Sequence, residues 1–324
     1  MINSIKYMNI DEQIEHLENK GLVIGNKKTA KKYLSDIGYY KLINGYRQPF
    51  TFIKEIDGNK TRYYYKNTSI EDLYYLYEFD KSLKSLILEN TSFLETKIKN
   101  KMSDVISSKY GIKESEYLVA ENFRPDQIKK TNHKKFIELQ VQILNTITEQ
   151  GNNHKYISWY TENYGFYPFW LVSNLLTFGT ISLLYSKMKN QDQNLISKSF
   201  LQKPDSFENM LILLVLFRNA CAHDEIVYNF KTKCALKKKD ISEICESYKI
   251  EKDLRTGMYK NGRNDIFALI IIFKKLLSKR QFSEFITKLK SQLNKLHKKI
   301  DKPKYDGILF SMGIVGDLDI IKSM

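Results

Sequence analysis

One stretch combines residue types and spacing that could do chemistry: Arg218-Asn219-Ala220-Cys221-Ala222-His223, directly after the apolar run Leu211 to Phe217. A guanidinium that follows such a run must find a partner or a cleft, because an unpaired buried charge is costly. Asn219 and His223 are four apart and share a helix face. Arg218 lies about 140° round from His223 on an ideal helix, so the helix must end or bend here if both side chains are to reach one ligand. The chemistry these types support is RNA cleavage without a metal. Histidine side chains ordinarily titrate near about 6.5 and can pass a proton to or from a 2′-hydroxyl or a leaving oxygen. Arginine steadies the extra negative charge of a phosphorane through paired N–H donors, and asparagine can orient either group. One Arg and one His are half of an acid–base pair, and a two-fold dimer would supply the other half. A core histidine beside a salt-bridged arginine accounts for the same spacing.

A second constellation is basic and aromatic. Tyr39, Tyr40, Lys41, Tyr46 and Arg47 lie close together, as do Arg62, Tyr63, Tyr64, Tyr65 and Lys66. Aromatic faces stack on unpaired bases while Lys and Arg meet phosphates. In residues 33–46 most of the aromatics are expected to pack the core. Strand alternation is expected to expose Arg62, Tyr64 and Lys66 together as an RNA-binding face, with Lys41 and Arg47 as further candidates. Lysine runs at Lys129–Lys130, Lys134–Lys135, Lys237–Lys239 and Lys295–Lys299 read cheaply as solvated faces. Among them Lys237 and Lys238, in the basic loop 231–239 that follows His223, are the RNA candidates.

The elements that must position these groups are mostly helical. Asn26 reads as an N-cap, and Gly21 and Gly38 as stops. Thr51-Phe52-Ile53 and Arg62–Tyr65 flank Asp57-Gly58-Asn59 and predict a β-hairpin. Ser69, with Asp72 three residues on, caps the longest periodic stretch in the chain, which holds helical spacing from Leu73 to Ile98 and stops at Gly111. Further helices are expected over 136–150, over 168–188 with Gly179 inside, from Pro204 into Arg218, over 264–277 and over 282–300. A basic, irregular connection is expected between Arg124-Pro125 and Lys135.

Composition agrees with this reading. The 324 residues include 42% hydrophobic side chains but only 14 Gly and 5 Pro. Such a chain can bury a sizeable core and favours long helices over many short strands. Lys and Arg exceed Asp and Glu by 52 to 37, a net +15 that attracts polyanions, although an AT-rich coding bias produces lysines too. Three cysteines without a CxxC pair argue against a disulfide framework and suit a reducing compartment. Cys221 and His223 lack a second pair at finger spacing, so no metal or other cofactor is expected. Met1 to Asp11 has no apolar leader core, and no apolar run is long enough to span a bilayer. A soluble, cytoplasmic protein is expected.

The segment Phe217-Arg218-Asn219-Ala220-Cys221-Ala222-His223 resembles the R-N-x-x-x-H signature of HEPN domains. Three more stretches resemble the Abi-like (AbiD/AbiF) abortive-infection family in order and spacing. They are Tyr33-Leu34 with Ile37–Leu42 through Tyr46 and Pro49-Phe50; Phe79–Leu83 running to Glu95; and Pro168-Phe169-Trp170 with Phe178-Gly179-Thr180 and Leu184-Tyr185. The resemblance covers nearly the whole chain. It implies an all-α HEPN-like helical bundle, here residues 68–324, preceded by a smaller N-terminal module, residues 1–67, that holds the hairpin. It also implies a homodimeric, metal-independent endoribonuclease of antiphage defence, with a structured noncoding RNA as a regulating partner. Arg218, Asn219 and His223 are carried over as active-site positions, and so is Glu95 on the long helix. HEPN toxins controlled by nucleotidylation carry a tyrosine two residues after the histidine; Glu225 stands there in this chain, which puts that mode of control in doubt. The alternative reading, from another class, is a module that holds a specific structured RNA without cutting it.

Overall fold

In a computed structural model of the chain, residues 7–56, 59–125 and 133–323 are described. The expected turn residues Asp57 and Gly58, and Lys129 and Lys130, lie outside them. Helix accounts for 69% and strand for 5%, so the protein is all-α with one small hairpin. The chain divides into two compact units.

The first unit comprises residues 1–86, 220–230 and 283–324. Asn9 and Glu12 form a capping box that starts α1, Ile10–Asn19. Asn26 caps α2, Lys27–Ile37, by accepting from the Thr29 amide at 3.1 Å, and Gly38 ends it at φ +89°. A π-helical turn, Tyr40–Asn44, follows and packs on α2. Strands β1, Thr51–Ile56, and β2, Asn59–Tyr64, pair antiparallel in the register Thr51↔Tyr64, Phe52↔Tyr63, Ile53↔Arg62. Ser69 and Asp72 then exchange the reciprocal bonds of a capping box and open α3, Ile70–Tyr110, whose 41 residues pass from the first unit into the second. Near the other end of the chain, buried Lys304 reaches back to Asp72 at 3.0 Å and ties helix Lys302–Ser311 to the start of α3.

The second unit comprises residues 87–219 and 231–282. Helix Lys134–Gln150 packs on two short helices, Phe169–Leu175 and Phe178–Lys187. These two replace the single helix expected over 168–188. Leu176 and Thr177 are extended, and the Thr177 hydroxyl accepts from the Thr180 amide at 3.1 Å, so a cap restarts the helix inside an unbroken apolar pattern. Asp192, fully buried, takes the Lys109 ammonium and the Tyr110 hydroxyl. Asp265 caps Ile266–Leu276 and also accepts from the amide of Gly262, whose φ of +80° and 3.0 Å clearance from Phe267 leave no room for a side chain. The basic segment after His223 is only partly a loop, because a helix begins at Lys238. Among the described residues no helix is long and apolar enough to cross a membrane.

Candidate active site

Helix Pro204–Ala222 delivers the Arg–Asn–His stretch. Phe207, Met210, Leu211, Leu213, Leu214 and Phe217 are all fully buried, which fixes the rotation and depth of the helix before the polar residues begin. Arg218 and Asn219, half-buried, close the second unit's part of this helix, and the Arg218 Nη1 lies 3.4 Å from the Asn219 Oδ1 it donates to.

The helix stops one residue before His223. In the first unit, the Glu225 amide donates back to the Ala220 carbonyl at 2.9 Å and the Asp224 amide to that of Cys221 at 3.3 Å. Those two bonds make a Schellman stop with His223 as the C-cap and Asp224 in the left-handed position, φ +56°. Glycine usually fills that position; aspartate tolerates it at some cost and must be held there by its surroundings. The imidazole therefore leaves the end of a rigid rod, exposed to solvent. Cys221, by contrast, is buried, and burial pushes its thiol up to about 12, so it is a poor partner for His223 in metal binding or nucleophilic attack.

What holds Asp224 is a cluster that the sequence did not reveal. Lys41, from the π-helical turn, and Lys84, from α3, both donate to its carboxylate, Lys84 at 2.7 Å. Lys84 is buried and also lies 3.3 Å from Asp80, one helical turn earlier. Asp80 is fully buried; its Oδ1 accepts from the amides of Val227 at 3.0 Å and Tyr228 at 2.6 Å, and its Oδ2 from the Tyr46 hydroxyl at 2.9 Å. Burial drives the Asp80 carboxyl above its ordinary range, while the Lys84 ammonium and these donors pull it back. Burial also works against the Lys84 ammonium, but Asp224 and Asp80 outweigh it and hold Lys84 above its ordinary value. Packing completes the clamp: the Tyr46 and Tyr228 rings lie 6.2 Å apart, and a Cβ on Gly45 would come within 2.8 Å of Ile226. Residues 224–228 are thus pinned by two elements from the N-terminal third of the chain. The signal for Asp80 lay in its spacing, since it takes a core-face place between Leu76 and Leu83, where only a satisfied carboxylate can sit.

This clamp carries a pH signature. For Asp224, burial raises the carboxyl, but Lys41 and Lys84 more than reverse that and hold it below its ordinary value. A carboxylate with a depressed folded value adds stability above its unfolded value, about 3.9, and loses it as the pH falls through the folded one. Because its side chain is 58% exposed, the contribution stays within about 1 kcal/mol. Asp224→Asn keeps the left-handed backbone and removes only the charge. It is expected to melt a few degrees (about 2–4 °C) below wild type at neutral pH, with the gap closing toward pH 3. A gap that stays constant down to that pH would contradict the account.

The remaining candidates are placed separately. Glu95 lies in the second unit and pairs with Lys99 of its own helix at 2.7 Å. Lys41 is engaged by Asp224. Arg47 and Arg62 line a small cleft with Lys20 and Tyr64, and the Arg62 Nη1 donates to the Thr51 hydroxyl at 3.0 Å. Tyr64 corrects an expectation: it is buried, at 7% exposure, rather than displayed with Arg62 and Lys66. The strands alternate as expected, but the Tyr64 amide bonds to the Lys20 carbonyl at the end of α1, which turns the Thr51/Tyr64 side inward. Lys66 is exposed, and so are Lys237 and Lys238, with Lys237 3.9 Å from Asp205.

A family model described as Abi-like protein matches residues 32–229, well over half of the chain and inclusive of the motif helix, Asp80, Lys84 and Lys41. No curated protein and no solved structure matches.

Proposed function

Because the chain belongs to the Abi-like protein family, we propose that it serves abortive-infection defence against phage as a metal-independent endoribonuclease of HEPN type. The observation that carries this reading is His223 itself: a solvent-exposed imidazole at a helix C-cap, with the backbone beyond it fastened by Asp80, Lys84 and Lys41. A side chain retained only for packing would be inside. A general acid or base has to meet substrate while its backbone stays fixed.

In the proposed reaction the 2′-oxygen attacks the adjacent phosphorus as a base removes its proton. The P–O5′ bond breaks, and the 5′-oxygen takes up a proton. The products are a 2′,3′-cyclic phosphate and a 5′-hydroxyl. His223 supplies one proton transfer, Arg218 steadies the dianionic phosphorane, and Asn219 aligns the guanidinium. One motif histidine per chain provides one of the two transfers, so the active species is a homodimer in which each protomer contributes a set. Glu95, which pairs with Lys99, is kept as a site position from the family resemblance alone.

The test is incubation of the purified protein with RNA in EDTA, with end-group analysis of the products. Cyclic phosphate ends, and no cleavage at a 2′-deoxy substituted site, are expected. Dependence on a divalent metal, or RNA that copurifies and stays intact through long incubation, counts against the nuclease; the latter favours the non-cleaving RNA-binding alternative.

A further inference from the structure

The hairpin of the first unit turns a row of aromatic rings outward. Phe52 and Tyr63 are directly cross-strand, so their side chains share one face. Tyr65 continues that face just beyond β2, where its amide still bonds the Phe50 carbonyl at 2.9 Å. The Phe52 ring centroid lies 5.3 Å from that of Tyr65 and 6.3 Å from that of Tyr63, with the planes tilted by about a third of a right angle. Phe52 is 39% exposed and Tyr65 47%. On the opposite face Thr51 and Tyr64 are buried, and Ile53 beyond them is exposed with no aromatic residue opposite it on the partner strand.

Exposed ring clusters mark contact surfaces, and the charges around this one select the partner. Lys54, exposed, alternates onto the same face as Phe52. No residue that alternates onto the face is acidic; Glu55 alternates onto the other one. Rings in a row with a flanking ammonium group and no carboxylate fit a strand of stacked bases with a phosphate on each nucleotide. A chain carrying +15 would draw such a strand in.

We propose that Phe52, Tyr63 and Tyr65, with Lys54 beside them, form a stacking platform for single-stranded RNA. The identity of the polyanion rests on the ribonuclease reading; the platform itself does not require cutting.

The probe is a fluorescein-labelled, unstructured RNA 12-mer with 2′-O-methyl riboses, which cannot be cleaved by 2′-attack. Binding is therefore read whether or not the protein is a nuclease. Phe52→Leu with Tyr65→Leu keeps apolar side chains on the strand but removes stacking, and is expected to raise Kd by about 10- to 100-fold with the salt slope unchanged. Lys54→Ala is expected to weaken binding and lower the salt slope by about one counterion. Tyr65→Phe is expected to bind as wild type, and melting curves confirm folding throughout. Equal affinity of wild type and the double variant overturns the platform. So does an effect confined to oligomer size, which would make this face a contact between copies of the chain. Wild-type protein that cuts no RNA while the affinity difference is retained supports the platform and overturns only the nuclease reading.

Discussion

His223→Ala is expected to lower RNA cleavage by about 10²–10⁴-fold in the presence of EDTA and to leave stability within about 0.5 kcal/mol of wild type. The two halves of that expectation belong together. The imidazole is exposed at the end of its helix, so truncating it opens no cavity and strands no buried donor. Loss of activity without loss of fold is what separates a catalytic histidine from the core histidine that the sequence equally allowed. Arg218→Ala is expected to cost about 10²–10³-fold by the same assay, and Arg218→Lys to rescue little, since an ammonium cannot bridge two phosphoryl oxygens as a guanidinium does. Asn219→Ala, which frees the Arg218 Nη1 from its 3.4 Å neighbour, should fall between wild type and Arg218→Ala. If the His223→Ala protein cuts RNA at the wild-type rate with EDTA present, the assignment of the reaction to this motif fails.

The positions that could be read from the sequence and those that could not differ in the range of the forces that place them. Asn26, Ser69 and Gly38 act on residues three or four away, and their caps stand where the sequence puts them. The apolar rhythm of α3 is likewise local, and it held over the full length expected. The hairpin is a harder case. Its two faces, Arg62/Tyr64/Lys66 and Phe52/Tyr63/Tyr65, are almost equally aromatic and basic, so alternation fixes the register but not which face turns inward. That choice is made by one long-range event, docking of the Tyr64 backbone on the end of α1. The helix break at Leu176–Thr177 was hidden because both halves continue a single apolar pattern, and a lone threonine cap carries little weight against it. The clamp beyond His223 was out of reach for another reason: its bonds join residues 140 to 183 positions apart, and no periodicity connects them.

Asp80→Ala is expected to be among the most damaging single substitutions in the first unit. Four donors converge on this carboxylate, the Val227 and Tyr228 amides, the Tyr46 hydroxyl and the Lys84 ammonium, and of these Lys84 also donates to Asp224. Removing it strands two buried N–H groups and leaves Lys84 with only the exposed Asp224 as partner, a loss of about 3–5 kcal/mol and roughly 10 °C in Tm. Tyr46→Phe removes one of the four bonds and should cost only about 1 kcal/mol. Asp80→Asn tests which component dominates. An amide oxygen can still receive the two backbone donors, but it offers Lys84 no charge, so an intermediate loss assigns the balance to the ion pair. The damage should also be local. Hydrogen exchange at Val227 and Tyr228 is expected to accelerate in Asp80→Ala under conditions where the protein is still folded, because these amides lose their acceptor. Cleavage should fall with it, as the segment behind His223 loses its anchor while the imidazole stays chemically intact. An Asp80→Ala protein that melts within a degree or two of wild type, with those two amides still protected, would mean that something other than this carboxylate holds the histidine's backbone in place.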